Sequence, residues 1–189
     1  MIRVAFQGER GAYGEDAIAA LWGADAQPVP ARTFDDVVRL VASGATHAGV
    51  LPVENSLVGE VRAGVRALGG ASDVMVVDET TVPVNHCLLG IDGAALDTLL
   101  RVESHPVALA QCTRFLTGHP RIVAHEAWDT AGAARDVARA GDARRAAIAG
   151  RGAAARWGLV VLADGIADAP DNHTRFVALR RSPAAEVCA

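Results

Sequence analysis

The chain contains no lysine; all 18 of its basic residues are arginine. That absence excludes Schiff-base catalysis, covalent attachment of pyridoxal phosphate and the phosphate-loop lysine of nucleotide hydrolases. Cysteine is scarce too. Cys87, Cys112 and Cys188 stand far apart, and the first two lie in apolar runs, which argues against a disulfide framework or a structural zinc site. The six histidines (His47, His86, His105, His119, His125 and His173) show no HExxH or comparable metal spacing. His86 and Cys87 sit in an apolar strand and read as core. No apolar run approaches the roughly 20 residues that span a bilayer. The opening Ile2–Phe6 reads as a strand and not as a basic-then-apolar leader, so the expectation is a cytoplasmic protein without a membrane partner. A net charge of −4 offers no bulk attraction to nucleic acid.

What is present is a globular composition, 51% hydrophobic and 21% charged over 189 residues. Short β-branched runs alternate with amphipathic stretches, which predicts an α/β fold. Strands are expected at 2–6, 47–53, 74–79, 84–89, 100–102, 121–125, 146–149, 160–163 and 174–179. Helices are expected at 15–22, from the Thr33/Asp36 cap to 41, at 61–68, from Pro106 to 116, at 130–140 and from 151 to 157. The order TFDDVVRLVASG then AGVLPVENS corresponds in pattern to DTAGAARDVARAG then AAIAGRG. That correspondence suggests two similar lobes: one of residues 1–79 plus 172–189, the other of 80–171. Strand-end loops from both would line a cleft, where small-molecule sites usually lie.

Three segments carry candidate chemistry. Glu54-Asn55-Ser56 follows a buried strand, and its carboxylate, amide and hydroxyl either form a turn or grip polar ligand atoms. Ser104-His105-Pro106 opens a helix; serine is a good cap, proline suits the first turn, and the free N–H groups there suit a carboxylate. Thr174-Arg175-Phe176 begins a strand, so alternation sends Thr174 and Phe176 to one face and Arg175 to the other. Arg175 can pair with a ligand carboxylate or with an acidic neighbour. The glycine-rich loop Gly8–Gly14 lacks the GxGxxG spacing and reads as backbone freedom beside a ligand.

Taken in order, the segments GVLPVENSLVGEV, VNHCLLG, ESHPVALAQC, AAIAGRGAAARWGLVVLADGIAD and NHTRFVAL resemble the catalytic domain of prephenate dehydratase over nearly the whole chain. The resemblance implies two Rossmann-like, periplasmic-binding-protein-like lobes with the active site in the cleft between them. It implies the decarboxylating dehydration of prephenate to phenylpyruvate in phenylalanine biosynthesis, without metal or organic cofactor, by a homodimer. Thr174 matches the family's catalytic threonine, with Glu54 and His105 as candidate proton sources. Asn55, Ser56, Ser104, Gln111, Arg175 and Phe176 match substrate-binding positions. The chain departs from the family pattern at Glu9, Ala12, Gly14-Glu15 and Gly150, where proline, a hydroxyl residue, Ser-His and serine are usual. No regulatory ACT domain is expected after the Thr-Arg-Phe strand, and with it no phenylalanine feedback. Three other readings stay open: a non-aromatising prephenate decarboxylase, an arogenate dehydratase, and a non-catalytic sensing module on the same scaffold.

Overall fold

The buried apolar runs separate into two sheets, each with its own helices and its own core. The computed structural model describes residues 1–183; Cys188 lies outside them. In chain order the elements are β1 (Ile2–Gln7), α1 (Tyr13–Trp22), a 3-10 turn (Gly23–Asp25), β2 (Ala26–Ala31), α2 (Phe34–Ala42), β3 (Ala48–Asn55), β4 (Gly59–Glu60), α3 (Arg62–Gly69) and β5 (Val74–Pro83). There follow β6 (Cys87–Gly90), β7 (Arg101–Ser104), α4 (Pro106–Ala110), α5 (Thr113–Gly118), β8 (Val123–Glu126), α6 (Thr130–Ala140), β9 (Arg145–Ala149), α7 (Arg151–Trp157), β10 (Val160–Ala163) and β11 (His173–Arg181). One compact unit comprises Met1–Gly8, Tyr13–Pro83 and the stretch from Asn172; the other comprises Glu9–Ala12 and Val84–Asp171.

In the first unit the strand order is β2-β1-β3-β11-β5, with β4 paired to β3. Strands β1, β2 and β3 run parallel, whereas β11 is antiparallel to both β3 and β5. The middle strand β3 is buried from Ala48 to Leu51, and Val37, Val41, Leu51, Val177 and Leu179 form the centre of the core. Each such side chain contributes about 1.5–3 kcal/mol through burial. Helix α2 begins as the sequence predicts, with the Thr33 hydroxyl accepting the Asp36 N–H at 3.0 Å.

In the second unit the order is β10-β6-β9-β7-β8, with β9, β7 and β8 parallel and β6 antiparallel to both of its neighbours, β9 and β10. Its core gathers Leu88, Leu99, Val102, Ala146 and Ile148. Both helices of the repeated pattern, α2 and α6, lead into the middle strand of their sheet, β3 and β9 respectively.

The structure adds two elements and divides a third. Strand β2 (AQPVPA) was hidden by its prolines; it pairs only with β1, at the edge of the sheet, where Pro28 and Pro30 cost no ladder bond. The two-residue β4 is too short to leave a periodic signal. The helix expected from Pro106 to residue 116 is two pieces, α4 and α5, because the chain turns at Gln111 and Cys112, with Cys112 at φ −120° and ψ 28°.

Close approach of α3 to β3 rests on Gly64. Gly59 has φ +76° and open space around it, whereas a Cβ on Gly64 would lie 2.0 Å from the Pro52 carbonyl oxygen. Gly64→Ala is therefore expected to destabilise the protein by about 2 kcal/mol or more, since backbone must move. Gly69→Ala, at the end of the same helix with nothing within 4 Å, should stay within about 0.5 kcal/mol. Urea unfolding of the two variants checks the contrast.

Candidate active site

Strands β3 and β11 place two of the candidate segments side by side, with Thr174 opposite Asn55 and Arg175 opposite Glu54. Just beyond, the pairing skips Val53, so β3 carries a bulge two residues before Asn55. The Val53 carbonyl accepts the Val61 N–H at 2.9 Å instead. Consecutive strand residues face opposite ways, and the two segments therefore present two different surfaces.

On one surface lies a polar cluster around Asn55. Its Nδ2 donates to Asn172 Oδ1 at 2.7 Å, to the His173 carbonyl at 3.0 Å and to Thr174 Oγ1 at 2.9 Å. Its Oδ1 accepts the Leu57 and Val58 N–H groups at 3.0 and 3.2 Å. Ser56 holds the neighbouring backbone from both sides, its hydroxyl accepting the His173 N–H and its own N–H reaching the His173 carbonyl, each at 3.0 Å. Asn55, Asn172 and Thr174 are buried, at 7%, 3% and 9% exposure. Asn172, which carried no assigned role in the sequence reading, belongs to this cluster; its position two residues before Thr174 was the available signal.

On the opposite surface Arg175 bridges Glu54 (3.1 Å) and Glu79 (3.1 Å). These contacts hold the guanidinium even more firmly protonated than usual, with the Glu54 hydrogen bond the leading cause. A hollow of about 290 Å3 lined by Val53, Glu54, Glu60, Val65 and Arg175 opens there. Arg175 thus has acidic neighbours, the ordinary alternative for a strand arginine. Glu54 pairs with Arg175 on the face opposite Thr174, so as a candidate proton source it makes no direct contact with that hydroxyl. Phe176 is buried at 5% exposure.

The second unit positions the third segment differently from a simple helix cap. Ser104 is the last residue of β7, fully buried, and its hydroxyl donates to the Ile148 carbonyl at 2.5 Å. That bond uses the hydroxyl's one proton, so toward any other group the Ser104 side chain can only accept. His105 is the cap of α4, its Nδ1 accepting the Val107 N–H at 3.3 Å. This contact puts the ring proton on Nε2. It also occupies one of the N–H groups expected to receive a carboxylate. Gln111 ends α4, and its Oε1 lies 2.8 Å from His86 Nε2. A carbonyl oxygen only accepts, so His86 carries its proton on Nε2.

The glycine-rich opening loop is anchored by contacts that leave its backbone committed. Gly11 has φ +89°, and a Cβ there would lie 2.7 Å from Ala153 Cα. Trp157 Nε1 donates to the Arg10 carbonyl at 2.9 Å. Asp129, missed in the sequence, caps α6 through the Gly132 N–H and also accepts the Glu9 N–H at 2.9 Å. Burial raises the Asp129 carboxyl above its ordinary range, with those N–H groups opposing. Burial likewise pushes the Cys87 thiol up to about 11 and that of Cys112 to about 12, which leaves neither as a nucleophile. Among the described residues no group of three or more His, Cys, Asp or Glu is placed to hold a metal ion. Among them, too, no helix is long and apolar enough to cross a membrane.

The prephenate dehydratase family profile matches residues 4–184 of the chain. The chain belongs to the prephenate dehydratase family. It is 42% identical over 183 residues to arogenate dehydratase/prephenate dehydratase 6, chloroplastic, of Arabidopsis thaliana, covering 96% of this chain and 44% of that relative. A prephenate dehydratase from Arthrobacter aurescens, solved in complex with L-Phe, superposes with a TM-score of 0.87 at 31% identity, over 96% of this chain and 61% of the other. A structure described as GqqA, a novel type of quorum-quenching acylase, superposes with a TM-score of 0.86 at 35% identity, over 96% and 64%. The chain thus spans less than half the length of the curated relative it matches.

Within a prephenate dehydratase fold, two departures of this sequence have local explanations. Glu9 supplies an N–H to Asp129 and an ion pair to Arg135, and proline at that position could make neither contact. Gly14 packs where a Cβ would stand 3.2 Å from the Phe6 ring. At Gly150 the first turn of α7 has no side-chain cap, a place a serine could fill.

His86 gives this unit a pH dependence. Burial lowers its affinity for a proton, with the Gln111 bond opposing. The unfolded chain takes up that proton below about pH 6.5 while the folded protein resists it. Stability from this group is complete above that value and is lost as pH falls through it. Thermal unfolding from pH 7.5 to 5.5 should show a shallower loss for His86→Gln than for the wild type.

Proposed function

We propose that this protein converts prephenate to phenylpyruvate, carbon dioxide and water. The observation that carries the reading is the nearly buried Thr174 hydroxyl held by Asn55, in a chain of the prephenate dehydratase family. Prephenate has two carboxylates and a ring hydroxyl opposite the carboxylate that leaves. Losing both groups makes the ring aromatic, so the substrate supplies the driving force and the protein has to help hydroxide depart as water. The Thr174 hydroxyl bonds the leaving oxygen, and the bond strengthens as negative charge builds there. The reading retains His105 in one of two forms: the neutral ring, with Nδ1 on the Val107 N–H, orients a carboxylate through Nε2–H, whereas supplying the proton requires the imidazolium, which gives up the Val107 contact. The carboxylate that leaves must avoid tight pairing, because an ion pair holds it back from release as carbon dioxide.

Arogenate, which would give phenylalanine directly, is the second reading, favoured by the double name of the Arabidopsis relative. A non-aromatising decarboxylase is disfavoured because Thr174 is intact and its hydroxyl is held by Asn55. We read the protein further as a homodimer, on the family resemblance.

Incubation with prephenate and with arogenate, followed by mass identification of the product and its enol absorbance in alkali, tests the assignment. Phenylpyruvate or phenylalanine supports it; unreacted substrate or a non-aromatic keto acid overturns it. Thr174→Ala should lower kcat by about 10²–10³ with little change in KM, as for loss of one transition-state donor. His105→Gln should reduce kcat/KM and alter the pH profile, and an unchanged profile would remove His105 from the mechanism.

A further inference from the structure

We infer that Asn55 is a positioning residue that sets the direction of the Thr174 hydroxyl proton, with Asn172 as its second anchor, and that Asn55 is not a substrate contact. The inference deepens the dehydratase reading and rests on it for its kinetic test. The orientation of the Asn55 amide follows from groups that have no choice of role. The Leu57 and Val58 N–H groups can only donate, so Oδ1 must face them. The His173 carbonyl can only accept, so Nδ2 must face it, and Thr174 Oγ1 lies on that same side at 2.9 Å. An amide nitrogen donates and does not accept. The Thr174 oxygen therefore accepts a hydrogen bond from the Asn55 amide, and its own proton must point elsewhere. Among the described residues no acceptor takes that proton, which leaves it for a ligand oxygen.

The capacity of Asn55 is also used up. Its two N–H protons serve three acceptors, Asn172 Oδ1 at 2.7 Å among them, and its oxygen serves two donors. Nothing remains for a substrate. With Asn172 at 3% and Asn55 at 7% exposure, water does not compete for these bonds. The consequence is a threonine presented as a donor before any substrate arrives, with no reorganisation needed when charge develops on the leaving oxygen.

Asn55→Asp reverses the polarity while keeping the shape and the bonds to Leu57 and Val58. Its carboxylate draws the Thr174 proton toward itself. On whichever of prephenate and arogenate the wild type converts, kcat should fall about 10²–10³-fold, near the loss in Thr174→Ala, with KM changed less than about threefold. The double variant should be no worse than Thr174→Ala alone, because both changes remove one donation. Activity of Asn55→Asp should return as pH falls, since a protonated acid at that position again donates to Thr174. A raised KM with kcat kept, or losses that multiply in the double variant, would overturn the inference. Neutron diffraction from the deuterium-exchanged wild type decides it without turnover or a folded variant. Deuterium on Thr174 Oγ1 pointing away from Asn55 is expected, and deuterium pointing at Asn55 overturns the proposal. If the wild type converts neither substrate, the dehydratase reading falls while the neutron map still decides this one.

Discussion

A single side-chain amide ties together parts of the chain that are more than a hundred residues apart. Asn55 ends β3, the middle strand of its sheet, and reaches Asn172, His173 and Thr174, where the chain re-enters the first unit. If the cluster opens, the turn after β3 loses the bonds that cap Leu57 and Val58, and the start of β11 loses its lateral support. The arrangement is rigid because every polar atom of Asn55 meets a partner whose role is fixed, in a place that water does not enter. A fully satisfied buried network specifies one geometry where a half-satisfied one would permit several. The candidate chemistry inherits that geometry.

The same strand pair also separates two kinds of chemistry by alternation. Neutral donors and acceptors gather on the side of Thr174 and Asn55. Full charges gather on the side of Arg175, Glu54 and Glu79. The pairs on the charged side are exposed to solvent and contribute little to stability, so their value lies more in keeping charge away from the neutral cluster. A carboxylate next to Thr174 would accept its proton, and an arginine there would compete for its oxygen. Strand alternation prevents both without any further device.

Much of the architecture was legible in the sequence because its signals are local. The Thr33/Asp36 cap, the buried run before Glu54 and the helix from Thr130 to Ala140 follow from propensity and from period. Strand β2 was not legible, since its prolines speak against a strand until its edge position is known. The break at Gln111 and Cys112 was missed because the apolar spacing continues through it. The segment Asn55-Ser56 and residue Thr174 were recognisable as candidates from residue type, strand ends and family resemblance. The roles of Ser104, Glu54 and Arg175 were not, because a hydroxyl or a charge has no role until its nearest partner is known.

The amino-acid order by itself determined the α/β class, the absence of amine chemistry, and which short segments could carry a site. Those properties depend on residue type and on neighbours a few positions away. Only the tertiary structure decided that Asn55 spends all its hydrogen bonds internally, that Glu54 turns its carboxylate from Thr174, and that Gly11 serves backbone packing against Ala153. Each of those outcomes depends on a partner at long sequence separation and on which face of a strand it meets. Hydrogen-bond direction and burial are properties of pairs in space, and a linear pattern does not contain them.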